Sequence, residues 1–242
     1  MGKVAKMRVI VGDKEDSNQS GSDRLDQKRA EELRILEALL FAAEAPLDEK
    51  ALASRLPAGI DVRALLVQLQ RDYAPRGVNL VRVAGKWALR TANDLAWLLT
   101  HEAVVTRKLS RAAIETLAIV AYHQPVTRAE VEEIRGVSTS KGTLDVLLET
   151  GWIRLRGRRK APGRPVTYGT SEAFLVHFGL DVLTDLPGLD ELKGAGLVDA
   201  TLPADFSVPV PSDDPTLRDD EEPLGPDDLD LGLAPRNEPT EE

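Results

Sequence analysis

Three histidines and no cysteine limit what this chain can catalyse. His101, His123 and His177 stand singly, without the paired spacing of a metal site. Lacking thiolates, a zinc centre would need carboxylates to converge on one imidazole. The absence of cysteine also excludes disulfide staples and thiol nucleophiles, and fits a reducing compartment. Residues 136–143 read Gly-Val-Ser-Thr-Ser-Lys-Gly-Thr, superficially like a phosphate-binding loop. The lysine precedes the glycine, however, whereas the motif needs Gly-Lys-Ser/Thr after four free residues. A turn leading into a helix is expected there. No nucleophile elbow or dinucleotide fingerprint occurs. The expectation is a protein that is not an enzyme, with no metal and no cofactor.

The one strong local charge feature is basic. Residues 151–170 hold Arg154, Arg156, Arg158, Arg159, Lys160 and Arg164 with no acid among them. Such a cluster reads either as a wing making weak phosphate or DNA contacts or as a solvated basic loop. The whole chain has 31 Lys+Arg against 40 Asp+Glu, a net charge of −9, which would repel a polyanion. That sum hides its distribution. Residues 199–242 carry fourteen acids and two bases, so the other 198 residues carry a net +3. An acidic tail follows a weakly basic body. The tail is expected either to shield the basic stretch through weak, salt-screened attraction or simply to keep the protein soluble.

The elements that would hold these residues follow from periodicity. At ~100–200 residues per domain, 242 residues make one or two domains, and 42% hydrophobic residues with only 4% aromatic imply aliphatic cores. Leu33, Leu36, Leu39, Leu40 and Ala43 mark one face of a first helix. Asp48 caps a second, with Leu47 and Leu52 as hydrophobic staple, and Asp61 caps a third, with Ile60 and Leu65. After Pro75 and Gly77 the period falls to two. Val81 and Val83 run out and Trp87 and Leu89 return, as in a β-hairpin. A short helix around Leu95, Leu98 and Leu99 follows.

The same order recurs. Ser110 caps a helix with Leu109 and Ile114 as staple and Ile114, Leu117, Ala118 and Ala121 as buried face. Thr127 and Glu130 form a capping box, and Leu144, Leu147 and Leu148 mark a third helix. Trp152, Ile153 and Leu155 start a strand, a basic loop follows, and residues 166–169 return, before a helix capped by Ser171. The two copies align at an offset of 79 residues, too long for a solenoid repeat of ~20–50 residues. The fold class expected is α+β, mainly α with small β-hairpins, in tandem winged-helix domains with disordered termini. The boundaries are a leader at 1–29, domains at 30–105 and 106–186, and an acidic, Pro-rich tail at 187–242. No apolar stretch nears the ~18 residues of a membrane span, so a cytoplasmic protein with no membrane partner is expected.

A winged helix that reads DNA lays its third helix in the major groove. Here the third helices carry no net positive charge: Arg63 and Arg71 balance Asp61 and Asp72, and Lys141 faces Asp145 and Glu149. Phosphate contacts supply essentially all non-specific DNA affinity, so neutral helices point to protein partners instead. An apolar partner surface at Val81, Val83, Trp87, Leu89 and Trp152 is one expectation. Packing of those residues onto their own helices is the other.

The second copy carries a specific pattern. The run Leu109-Ser-Arg-Ala-Ala-Ile-Glu-Thr-Leu-Ala-Ile-Val-Ala-Tyr-His-Gln-Pro-Val-Thr-Arg-Ala-Glu-Val-Glu-Glu-Ile-Arg-Gly-Val137 closely resembles the segregation and condensation protein B family. So do Gly157-Arg158-Arg159-Lys160, Pro162-Gly163-Arg164-Pro165, Tyr168-Gly169-Thr170, Phe174-Leu175 and Phe178-Gly179-Leu180. In the first copy, residues 35–41 and Ala45-Pro46-Leu47 continue it, so the resemblance spans about Leu33 to Pro187. It implies a non-enzymatic accessory subunit of the bacterial SMC–kleisin condensin, nucleoid-associated in the cytoplasm. Such a subunit homodimerises through its first domain. Its second domain grips the kleisin (segregation and condensation protein A), and through it SMC, with DNA contact indirect or weak. Its role is chromosome condensation and partition in the cell cycle and cell division. A sequence-specific winged-helix transcriptional regulator is the competing class.

Overall fold

The computed structural model describes residues 16–99, 109–194, 209–212, 214 and 216–225. They form two compact units, one ending at Val81 and including Trp87–Ala92, the other made of Arg82–Lys86 and the chain from Asn93 onward. Mixed helix and antiparallel sheet make the class α+β.

The first unit opens on α1 (Asp16–Phe41), then α2 (Glu49–Ala53) and α3 (Val62–Tyr73). Strands β1 (Val78–Val83) and β2 (Lys86–Thr91) pair as a hairpin. Helix α1 begins inside the leader expected to be disordered to residue 29. Extending a helix already nucleated by packed turns adds one hydrogen bond per residue fixed, and the Arg24–Arg29 stretch is rich in helix formers. The aliphatic stripe works as expected, with Leu36 and Leu40 buried and Leu33 and Leu39 packed against them. Asp48 accepts from the Ala51 N–H at 2.7 Å and Asp61 from the Ala64 N–H at 3.1 Å, satisfying donors that each helix start leaves free. Leu47 exchanges both backbone hydrogen bonds with Trp87, at 2.9 and 2.8 Å, and so ties the chain before α2 to the hairpin.

In the second unit a 3-10 turn at Asn93–Leu99 is followed by α4 (Arg111–His123), β3 (Val126–Thr127), α5 (Arg128–Arg135) and α6 (Lys141–Glu149). Strands β4 (Ile153–Arg159) and β5 (Val166–Thr170) come next, then α7 (Glu172–Phe178) and α8 (Leu189–Gly194). The expected capping box is present, with the Thr127 N–H donating to Glu130 at 2.7 Å and the Glu130 N–H to the Thr127 hydroxyl at 3.3 Å. Residues 136–140 are a turn leading into α6, as expected, with Gly136 ending α5 at φ 70° and Ser140 preceding α6.

Two expectations fail here. The buried face of α4 is Ala113, Thr116, Leu117, Val120 and Ala121, while Ile114 and Ala118 face solvent. Leu117 and Ala121 are buried as expected; the stripe continues through Ala113, Thr116 and Val120, which leaves Ile114 on the exposed side. The second failure concerns the tail. Residues 220–222 lie against β4, where β6 (Glu221–Glu222) completes an antiparallel sheet of order β3-β5-β4-β6. Composition alone could not order this segment; a cationic strand edge does.

Candidate functional site

The basic stretch is a strand rather than a loop. Most of its cations sit on β4, and a β-bulge between Leu155 and Gly157 leaves Arg156 as the extra residue opposite Thr167 and Tyr168. A bulge re-aims its side chain, and Arg156 is directed into a buried pair. Its Nε lies 3.3 Å from the Glu221 carboxylate, with the two side chains 5% and 0% exposed. Glu221 also accepts from the Thr167 hydroxyl at 2.7 Å and from the Arg218 N–H at 3.0 Å. The other end of the Arg156 guanidinium donates to the backbone carbonyls of Asp214, at 2.8 Å, and Thr216. Removing two charges from water costs several kcal/mol per ion, at the order-of-magnitude level, and is recovered only where every donor and acceptor is satisfied. Here each of the three guanidinium nitrogens and both carboxylate oxygens has a partner.

The neighbouring cations are similarly engaged. Arg159 bridges Asp220 at 2.8 Å and Glu130 at 3.0 Å, and also donates to the Pro125 carbonyl at 2.9 Å. Burial alone would raise the Glu130 carboxyl. The Thr127 N–H and the Arg159 guanidinium outweigh it and hold that carboxyl below its ordinary range. The Lys160 ammonium donates to the Asp219 carbonyl at 2.7 Å, and Arg164 pairs with Glu222. Arg158 donates to the Arg164 carbonyl at 2.7 Å. Arg154 is exposed and donates to the Thr170 carbonyl at 3.2 Å. The second anchor is Gln124, which donates to the Ser212 carbonyl at 3.1 Å while its own carbonyl receives Arg218 at 3.1 Å. Of the two expectations, a weak phosphate-contacting wing and a solvated basic loop, the strand replaces the loop, and the wing carries the acidic segment against it. Of its six cations, Arg156, Arg159, Lys160 and Arg164 are held by the chain's own segment.

The residues of the expected apolar partner surface are largely covered within the chain, in line with the alternative expectation of packing. Val83 is 0% and Trp87 8% exposed, Leu89 packs against the first core, and Trp152 against the second. Val81 is half-buried. On β1 the buried residues are Leu80 and Val83, and on β2 Trp87 is the buried one, while Trp152 lies against His177 with ring centroids 4.2 Å apart. The exposed apolar side chains lie elsewhere: Phe41 at 82% on α1, Ile114 at 55% on α4 and Val146 at 41% on α6. A shallow groove of about 340 Å³ runs between the N-terminal ends of α4 and α6, lined by Leu109, Ala113, Gly142 and Val146. The signal that could have found it was the small-residue face of α4.

His123 is partly buried, which lowers its pKa, and it borders a small cleft with Glu130 and Arg159. His101 lies outside the described residues. Among the described residues, no group of three His, Asp or Glu side chains converges as metal ligands would, and no helix is long and apolar enough to cross a membrane.

Three helices followed by an antiparallel strand pair thus occur in each unit. The family model described as "Segregation and condensation complex subunit ScpB" matches residues 34–189, more than half of the chain, and the chain belongs to that family. The protein named "Segregation and condensation protein B" of Desulforamulus reducens is 45% identical over 168 residues, covering 66% of this chain and 91% of that protein. Its namesake in Syntrophotalea carbinolica is 44% identical over 180 residues, covering 72% of this chain and 90% of that one. The solved structure titled "Crystal Structure of ScpB from Mycobacterium tuberculosis" is 38% identical, covering 63% of this chain and 97% of that chain with a TM-score of 0.29. The family is that of a non-enzymatic subunit of the segregation and condensation complex. Its match stops at residue 189, so the acidic segment on β4 lies outside it.

Proposed function

We propose that this chain is a homodimeric adaptor of the SMC–kleisin complex, acting in the cytoplasm at the nucleoid during chromosome segregation and cell division. Each unit is a winged helix, with three helices followed by a two-stranded wing. The first dimerises, and the second binds the kleisin subunit, through which the chain joins SMC. The observation that carries the reading is the surface of the second unit. Its third helix, α6, offers the exposed Val146 beside a groove lined in part by Leu109, Ala113 and Gly142 and carries no net positive charge, while Arg156, Arg159 and Arg164 of the wing pair with the chain's own acids and Lys160 donates to a backbone carbonyl of the same segment. Phe41, left 82% exposed at the end of α1, supports a covered face on the first unit.

Calorimetry with a kleisin fragment tests the second-domain assignment. Val146→Asp and Ile114→Asp place charges on exposed apolar positions, so folding is kept, while affinity should fall by about tenfold or more, at 1.4 kcal/mol per decade. Full-length chain that ignores the fragment but binds one DNA sequence tightly, with a steep salt dependence, would overturn the reading in favour of a transcriptional regulator.

A further inference from the structure

An antiparallel hairpin leaves the outer edge of its outermost strand with unpaired N–H and C=O groups, and proteins cover such edges. On β4 the cover is specific in four ways. Backbone pairing is in register, with Arg158 opposite Glu222 and Arg159 opposite Glu221, and the Lys160 N–H donates to the Asp220 carbonyl at 2.8 Å. Gly157 makes room for it, since a Cβ at that position would stand 2.6 Å from the Glu222 carbonyl oxygen. Arg156 and Thr167 build a buried pocket that takes one carboxylate, from Glu221. The remaining Arg156 donors read main-chain carbonyls of the same segment. A phosphodiester strand has no such carbonyls and no strand backbone to pair, so the groove is shaped for a peptide.

We propose that the outer edge of β4 is a strand-acceptor site for extended acidic peptides, and that residues 216–222 are its resident occupant, displaced when a partner protein's acidic segment adds in their place. Strand addition supplies affinity through backbone hydrogen bonds, and pockets for alternate side chains supply selectivity. Here the selective position is the one Glu221 fills, and the flanking Arg159 and Arg164 favour acids on either side. A tethered occupant lowers the apparent affinity of any competitor by the fraction of time the site stands open. The segment is thus both a stopper on a sticky edge and a template for what may replace it. The inference is independent of kleisin binding, which was assigned to α4 and α6.

The test uses full-length chain and a fluorescein-labelled synthetic peptide with the sequence of residues 209–225. In the Asp220→Asn, Glu221→Gln, Glu222→Gln variant, the resident segment keeps its length and loses its charges. That variant should bind the labelled peptide about tenfold or more tightly than wild type does, following the open fraction. A peptide carrying Glu221→Gln should bind neither chain, and adding Arg156→Gln to the variant should abolish uptake. Equal affinity for both chains, or for both peptides, would overturn the proposal. Uptake of a short random-sequence DNA duplex in place of the peptide would also overturn it, making the groove a phosphate site. A second measurement leaves the groove and the paired acids Asp220, Glu221 and Glu222 intact. Because the chain has no cysteine, Asp219→Cys can carry a single fluorophore. Excess unlabelled wild-type peptide should lower its anisotropy as the resident segment leaves. No change at saturating peptide would contradict displacement.

Discussion

Replacing Glu221 by alanine removes the carboxylate that pairs with the buried Arg156. In the native structure Glu221 receives three donors, from Arg156, Thr167 and the Arg218 N–H, and its side chain is 0% exposed. Alanine strands the guanidinium without its counter-ion, a change that costs about 3–5 kcal/mol when one partner of a buried pair is deleted. A more exposed ion pair at this edge contrasts in scale. Arg164 with Glu222 is 63% and 33% exposed, and such pairs contribute about 0–1 kcal/mol. The loss should therefore come from one residue and appear locally. Native-state hydrogen exchange reads it at the Lys160 amide, which donates to the Asp220 carbonyl only while the segment is docked. At 1.4 kcal/mol per decade, protection there should fall by about two to three orders of magnitude, or to the fully open limit if that comes first. Amides in the middle of α4 should change little. Arg154→Gln, which removes an exposed side chain held by one backbone carbonyl, is the control and should change protection by less than about 0.5 kcal/mol. Unchanged protection at Lys160 in the Glu221→Ala chain would refute the reasoning, as would an equal loss throughout α4.

Four further outcomes follow from the second unit. Thr127→Ala breaks the capping box and should cost about 1 kcal/mol in urea unfolding, without changing the slope of the transition. Leu147→Ala truncates a side chain with 0% exposure and should cost about 2–5 kcal/mol, against near-neutrality for the exposed Val146→Ala. For pH, His123 is held below its ordinary value by burial, so the unfolded chain binds its proton first and stability falls as pH drops below the ordinary histidine value of about 6.5. His123→Gln should flatten the thermal midpoint across that window. Glu130 is likewise held below its ordinary value, so its contribution is present above about pH 4.3 and is lost as pH falls through the depressed folded value. Wild-type and Glu130→Gln chains should converge in midpoint at low pH, and parallel curves would contradict this.

What was legible in the sequence was local. Asp48, Asp61, Ser110, Thr127 and Ser171 all accept from the backbone N–H three residues on, because a cap is settled within one turn of its own residue. The leucine stripes of α1 and α3 fell on the core for the same reason, since an aliphatic face has only one place to go. The face of α4 was harder. A stripe assigned by size favours Ile114, but the buried stripe continues through Ala113, Thr116 and Val120 and leaves Ile114 on the exposed side. Hardest was the site. Charge arithmetic set an acidic tail against a basic stretch and so foresaw attraction. It could not foresee a strand. That depends on the missing side chain of Gly157, on the bulge that aims Arg156, and on a carboxylate arriving from 65 residues away. None of these has a local signature.

The central claim is that this member of the ScpB family works by dimerising and holding a kleisin. Light scattering on full-length chain after size exclusion, with and without a kleisin fragment, reads both halves together. One chain has a mass of 26.4 kDa. The account predicts twice that mass for the chain alone, and a further rise by one fragment per dimer when the kleisin is added. A peak at the single-chain mass that does not move with the fragment would contradict it.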